Sequence, residues 1–182
     1  MAEIRPVRPV KPLCCVLASD DAGFDAARHA LAETFGPIEM ESERFAFTAT
    51  EFYAAEMGEG LFRVLFAFRE LADPACLPRM KVRTNELEHS LVEKLASGAG
   101  RPVNLDPGYL TVAKFVLAST KDYTHRVYLG DGVYAEVTLT FCKSGIRSFA
   151  WTYPDFASGL YTAFLMNVRS RLQEQLAGAT TI

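Results

Sequence analysis

The 182-residue sequence predicts an α+β fold in a single domain: a mainly antiparallel or mixed sheet of about six strands packed with about three helices. Two patterns carry that prediction: several stretches of strand length alternate apolar and polar residues, and three longer stretches repeat apolar residues every three to four positions. Hairpin-like pairs outnumber strand–helix–strand units, which places most helices on one side of the sheet. Hydrophobic residues at 49% against charged residues at 23% give a globular composition rather than a disordered one. A chain of this length buries roughly 70% of its unfolded surface and needs no disulfide or metal to do so.

Residues 1–12 interleave Pro6, Pro9 and Pro12 with Arg5, Arg8 and Lys11, the pattern of an extended N-terminal arm, which leaves 13–178 as the domain. Leu13 to Ala18 is a continuous apolar run, as in a strand covered on both faces, so the adjacent Cys14 and Cys15 point to opposite sides. Ser19, Asp20 and Asp21 can cap a helix in which Phe24, Ala27, Leu31 and Phe35 recur until Gly36-Pro37. Strands are expected at Ile38 to Thr48 and Leu61 to Phe68, separated by a helical turn in EFYAAEMGEG that Gly58 and Gly60 close.

After the breaks at Asp73-Pro74 and Pro78, Met80, Leu87, Leu91 and Leu95 trace a second helix ending at Ser97-Gly98. Asp106-Pro107-Gly108 has the residues of a type II turn, and Leu110 to Thr120 reads as a central strand. From Arg126 to Phe141 the alternation is strict around Gly130-Asp131-Gly132. A three-residue loop pairs Leu129 with Val133, Val127 with Ala135 and Arg126 with Glu136, keeping one apolar and one polar face. A strand over Ile146 to Thr152 and a helix from Phe156 to Ala177 complete the chain.

Nineteen basic against twenty-two acidic residues give a net charge of -3, so no global field attracts a polyanion and nucleic acid is not expected as a partner. The N-terminus lacks the apolar stretch of a signal peptide, and no apolar run approaches a membrane span, which points to a cytoplasmic protein. Cys14, Cys15, Cys76 and Cys142 fall in no zinc-binding spacing and read as reduced thiols; no metal and no cofactor is expected. The GxxxxGK[ST], GxGxxG, HExxH and GxSxG signatures are absent.

Polar chemistry is concentrated between Asn104 and Glu136. Lys121, His125 and Arg126 lie where the end of one strand meets the start of the hairpin, a cluster suited to a phosphate or carboxylate, with Asp122 beside them. His125 and Asp106 are the candidate acid–base residues. Each has a plainer explanation: Arg126 and Glu136 as a cross-strand ion pair, Asp106 as a turn residue, His125 as a solvated imidazole. His29 and His89 sit on helices without ligand-spaced partners.

Five blocks in order, YxxEMG at Tyr53 to Gly58, KxxTNxLE at Lys81 to Glu88, NLDPGYL at Asn104 to Leu110, TKDYTHRVYLGDGVYAEVTL at Thr120 to Leu139 and WTYPD at Trp151 to Asp155, resemble the bacterial domain-of-unknown-function family 4416. The resemblance covers nearly the whole chain and implies no established activity. Some members carry a GTP-binding label, which this chain's lack of a phosphate loop and of NKxD spacing does not support. The blocks add Tyr53, Glu56, Thr84 and Glu88 to the polar positions, and helical spacing puts Lys81, Asn85 and Glu88 on one face. A cleft that binds a small anionic or nucleotide-like ligand is the leading expectation, with a protein-interaction surface of exposed tyrosines as the alternative.

Overall fold

A computed structural model describes residues 3–48, 53–95 and 100–179. Its core is a nine-stranded sheet in the order β2-β4-β1-β5-β6-β8-β7, with β3 added beside β4 and β9 beside β8, and every pairing is antiparallel. The strands are β1 (Lys11–Ala18), β2 (Ile38–Glu41), β3 (Phe45–Ala46), β4 (Phe62–Phe68), β5 (Val103–Leu110), β6 (Lys114–Ser119), β7 (Val127–Gly130), β8 (Val133–Cys142) and β9 (Gly145–Ser148). Three long helices, α1 (Asp21–Phe35), α3 (Leu77–Leu95) and α5 (Thr162–Ala179), are joined by single turns at α2 (Ala54–Met57) and α4 (Pro154–Ala157). The α+β class and the three main helices follow the sequence pattern, whereas the strand count exceeds six because the sequence merges short strands.

Helices cover both faces of the sheet, not mainly one. Residues Phe24, Ala27 and Leu31 of α1 and Met80, Leu87 and Leu91 of α3 pack on Cys14, Val16, Val64, Phe66 and Leu105. On the opposite face Leu165, Val168 and Leu172 of α5 pack on Leu13, Cys15, Leu65, Phe115, Leu117 and Leu139. Cys14 and Cys15 thus face opposite cores, as their adjacency in a strand requires. Burying a Leu or Phe side chain contributes about 1.5–3 kcal/mol, so the two cores supply most of the fold's stability.

The strand β1 starts at Lys11, two residues before the expected boundary, and Lys11 is fully buried. Its ammonium is held by the Glu39 carboxylate, by the Arg69 carbonyl at 3.0 Å and by Gln175 at 2.9 Å. The expected strand from Ile38 to Thr48 is two short pieces, and the C-terminal helix divides at Gly159, whose φ of 83° no helical residue adopts. The expected helix stop at Ser97-Gly98 lies outside the described residues. No helix among the described residues is long and apolar enough to cross a membrane.

Asp106-Pro107-Gly108 is not a turn but the middle of β5, and Leu110 to Thr120 is not one strand but the hairpin joining β5 to β6. That hairpin pairs only Gly108, Tyr109 and Leu110 with Leu117, Val116 and Phe115. A side chain at Gly108 would bring its Cβ to 2.4 Å from the Val116 carbonyl, so the close approach of β6 demands glycine. Below Gly108 the two strands splay. Leu105 turns its backbone groups away from β1, and Pro107, two residues on, faces the same way, so its missing N–H leaves no ladder bond unmade.

The hairpin of β7 and β8 pairs Val127 with Ala135 as expected, but a bulge sets Gly130, not Leu129, opposite Val133. The expected division into an apolar buried face and a polar exposed face fails. Glu136 and Thr138 are buried, while Val127 is 67% and Leu129 42% exposed: Arg126 and His125 close over the Glu136 carboxylate, whereas Val127 and Leu129 stand on the outermost strand, β7.

Candidate functional site

Residues directly opposite in antiparallel strands share a face, which places Arg63 beside Leu17 and Asn104, and Asp106 beside Cys15 and Leu65, all on the α5 side. Glu136 opposes Leu117 on that same side. The α5 face is therefore apolar at one end, where α5 lies, and charged at the other, where Arg63, Asn104, Asp106 and Glu136 project. No long helix covers the charged end; it is bordered by Tyr53 before α2 and by Tyr153 and Asp155 at α4. Tyr53 and Tyr153 both lie within electrostatic reach of Asp106.

The splay between β5 and β6 lets α3 reach this region from behind. Lys81 donates to the Leu105 carbonyl at 3.1 Å and to Asp106 Oδ1 at 3.3 Å, and Glu88 accepts the Leu105 N–H at 2.7 Å. Side chains of α3 thus satisfy the edge of β5 that β6 has left. Arg101 joins Glu88 to the side-chain Oδ1 of Asn104, whose Nδ2 donates to Asp106 Oδ2 at 2.7 Å. Asn85 lies between Lys81 and Glu88 on the helix, half-buried, with no hydrogen bond among the described residues.

Asp106 is hemmed in by protein, yet its side chain keeps 27% exposure. Burial pushes its pKa up, but Lys81, Arg63 and the Asn104 hydrogen bond outweigh burial and hold it below the ordinary carboxylate value. Glu88 goes the other way, because burial outweighs Arg101 and Lys81.

A second cluster adjoins the first. Arg126 donates from Nε to Glu136 at 2.8 Å, from Nη1 to Ser119 Oγ at 2.7 Å and to the Lys121 carbonyl at 3.0 Å, and from Nη2 to the Tyr153 hydroxyl at 2.9 Å. Both Arg126 and Glu136 are buried, so the ion pair legible in the sequence exists, and its guanidinium is nearly saturated internally. His125 Nε2 lies 3.2 Å from Glu136 Oε2, with its ring stacked on Trp151 at 5.3 Å and Trp151 stacked on Phe149 at 4.8 Å. Burial raises the Tyr153 hydroxyl's pKa against the opposing pull of Arg126.

The structure thus brings together Asn104, Asp106 and Lys81 in one cluster and His125, Arg126 and Glu136 in the next. Lys121 and Asp122 are not among them: their side chains are exposed, and Asp122 bonds Tyr134 instead. Sequence reasoning missed Arg101, in a Gly-rich loop with no periodicity, and the role of Tyr153, which only the WTYPD block marks. Two surface depressions of about 500 and 600 Å³ lie elsewhere, one between α3 and the β7–β8 turn, the other beside Arg8, Val112 and Arg169. No residue lining either is buried, so neither has the enclosed polar groups of the two clusters.

Fold and site together define an α+β protein whose helix-covered antiparallel sheet gathers two adjoining clusters of charged side chains at one end of a face. The chain belongs to the family described as Domain of unknown function (DUF4416), whose model matches residues 8–172. No curated protein and no solved structure matches it.

Proposed function

We propose that the protein binds a small polar ligand of low net charge in the cleft above Asp106. The observation that supports this is the water-accessible, ionised carboxylate of Asp106 held between the nearly enclosed side chains of Lys81 and Asn104. A fold needs no such group at the open end of its sheet, whereas ligand sites characteristically combine apolar walls with a few convergent polar groups. Tyr53 and Tyr153 supply the walls; the Tyr153 hydroxyl, Lys81 and Asn85 supply hydrogen bonds.

The expected anionic, nucleotide-like ligand rested on Lys121, His125 and Arg126 acting as free cations. Because Arg126 is paired with Glu136, Lys81 with Asp106, Arg101 with Glu88 and Arg63 with Asp155, the local charges cancel, and a neutral or zwitterionic ligand with both donors and acceptors fits better. The cytoplasm, read from the sequence, is the location this proposal assumes. A thermal-shift panel of neutral, zwitterionic and anionic metabolites tests it. Compounds of low net charge are expected to stabilise the wild type and not Asp106→Asn. Stabilisation of both proteins alike, or by polyphosphates alone, contradicts it.

One observation favours a second reading, a protein-interaction surface: Tyr123, Val127, Tyr128 and Leu129 are all more than two-fifths exposed at or beside the edge strand β7. Under that reading Tyr128→Ser abolishes association with a partner and leaves the thermal-shift panel unchanged.

A further inference from the structure

We infer that His125 is the proton-transfer residue of the cleft, its Nδ1 the working atom and Glu136 the group that positions it; this rests on the ligand-binding reading above. Three features of the geometry carry the inference. The Glu136 side chain is 1% exposed and receives Arg126 Nε at 2.8 Å, so its Oε2 is an acceptor fixed in place by a buried guanidinium. A carboxylate cannot donate, so the 3.2 Å contact requires that His125 Nε2 carry the hydrogen and donate it. In the neutral imidazole this leaves Nδ1 as a bare lone pair, and no bond to Nδ1 exists among the described residues.

Stacking supplies the third feature. The His125 plane lies 10° from that of Trp151, with Tyr123 at 6.0 Å on the ring's surroundings, which restricts the imidazole to one orientation. The side chain keeps 18% exposure, and the unpartnered nitrogen is not among the buried, unsatisfied side-chain atoms of the described residues. A surface histidine without function needs neither a buried carboxylate nor a stacking partner; His29, with 79% exposure, has only Glu33 one turn away.

In the step this arrangement supports, a ligand O–H or N–H gives its proton to Nδ1 and keeps the electron pair. The resulting imidazolium lies against Glu136, which holds its charge, and the proton returns from Nδ1 to the product. The charged and titratable groups around His125 are Glu136, Arg126, Tyr123 and, across Arg126, Tyr153. Removing Glu136 therefore changes the only anion in contact with the ring among the described residues.

Carbethoxylation of the full chain by diethyl pyrocarbonate, read residue by residue by mass spectrometry, tests the inference. The Nδ1 lone pair attacks a carbonyl and displaces ethyl carbonate, which takes the released proton and breaks down to ethanol and carbon dioxide. His125 is expected to react in the folded protein at a rate comparable to the more exposed His29 and His89, and several-fold more slowly relative to them in Glu136→Gln. Should that variant fail to fold, the comparison of the three histidines in the wild type decides. A His125 that reacts only after unfolding is a sealed structural imidazole and overturns the inference while leaving ligand binding intact. A reactive His125 in a chain that binds nothing in the metabolite panel overturns the cleft reading and this inference with it.

Discussion

Two ion pairs stand on the same face of the sheet and differ in one respect. Arg63 and Asp155 are sealed: their side chains are 6% and 7% exposed, the Tyr161 hydroxyl closes the pair at 2.9 Å, and Arg63 lies between the rings of Phe47 and Phe156. Lys81 and Asp106 are open: the lysine is as buried as Arg63, but its carboxylate meets water. The sealed pair fastens α4 to the sheet, and the one group it leaves without a partner among the described residues, Arg63 Nε, is itself buried. The open pair keeps a water-exposed, ionised carboxylate, and the proposed ligand site rests on that difference.

Breaking the sealed pair has the largest expected effect. Arg63→Met strands the Asp155 carboxylate in the core and lowers stability in urea by about 3–5 kcal/mol, with no ligand able to restore it. Lys81→Met removes charged hydrogen bonds from a carboxylate that water can still reach, for a loss of roughly 1.5–3 kcal/mol by the same measurement, together with loss of ligand stabilisation. If the two substitutions cost the same and the metabolite panel still stabilises Lys81→Met, the distinction between sealed and open is wrong.

Gly108→Ala tests the point where the open region begins. Its Cβ meets backbone, not a yielding side chain, so β5 and β6 must part further, at about 1–3 kcal/mol in urea unfolding. The smallest effects are those of pH, and their signs differ within the cleft. The Asp106 carboxyl is depressed in the folded state, so its contribution is present above its unfolded value and lost as pH falls through the lower folded one. Wild type should therefore lose stability relative to Asp106→Asn as pH drops below about 4. Glu88 is raised, so protonation favours the fold, and wild type should gain on Glu88→Gln as pH falls from neutrality towards about 4.5.

What could be seen in the sequence follows the range of the interactions involved. The pairing of Arg126 with Glu136 was legible because strand parity fixes it locally, and Lys81 and Glu88 because helical spacing sets them on one face. Asp106-Pro107-Gly108 was misread as a turn because its proline and glycine answer to β6, a strand that leaves and approaches there, rather than to their own neighbours. Lys11 looked like an arm residue because Glu39, Arg69 and Gln175, which bury it, are distant in sequence. The aromatic stack of His125, Trp151 and Phe149 likewise joins segments that no periodicity connects.

Chemical-shift mapping of the full chain against the metabolite panel addresses the cleft most directly. A ligand held above Asp106 is expected to shift the backbone resonances of Asn104, Asp106, Tyr153 and His125 together, and to leave those of Lys11, Glu39 and Gln175 unmoved. Shifts confined to Tyr128 and its neighbours on β7, or a bound compound that moves none of the cleft residues, would contradict a ligand site at the open end of the sheet.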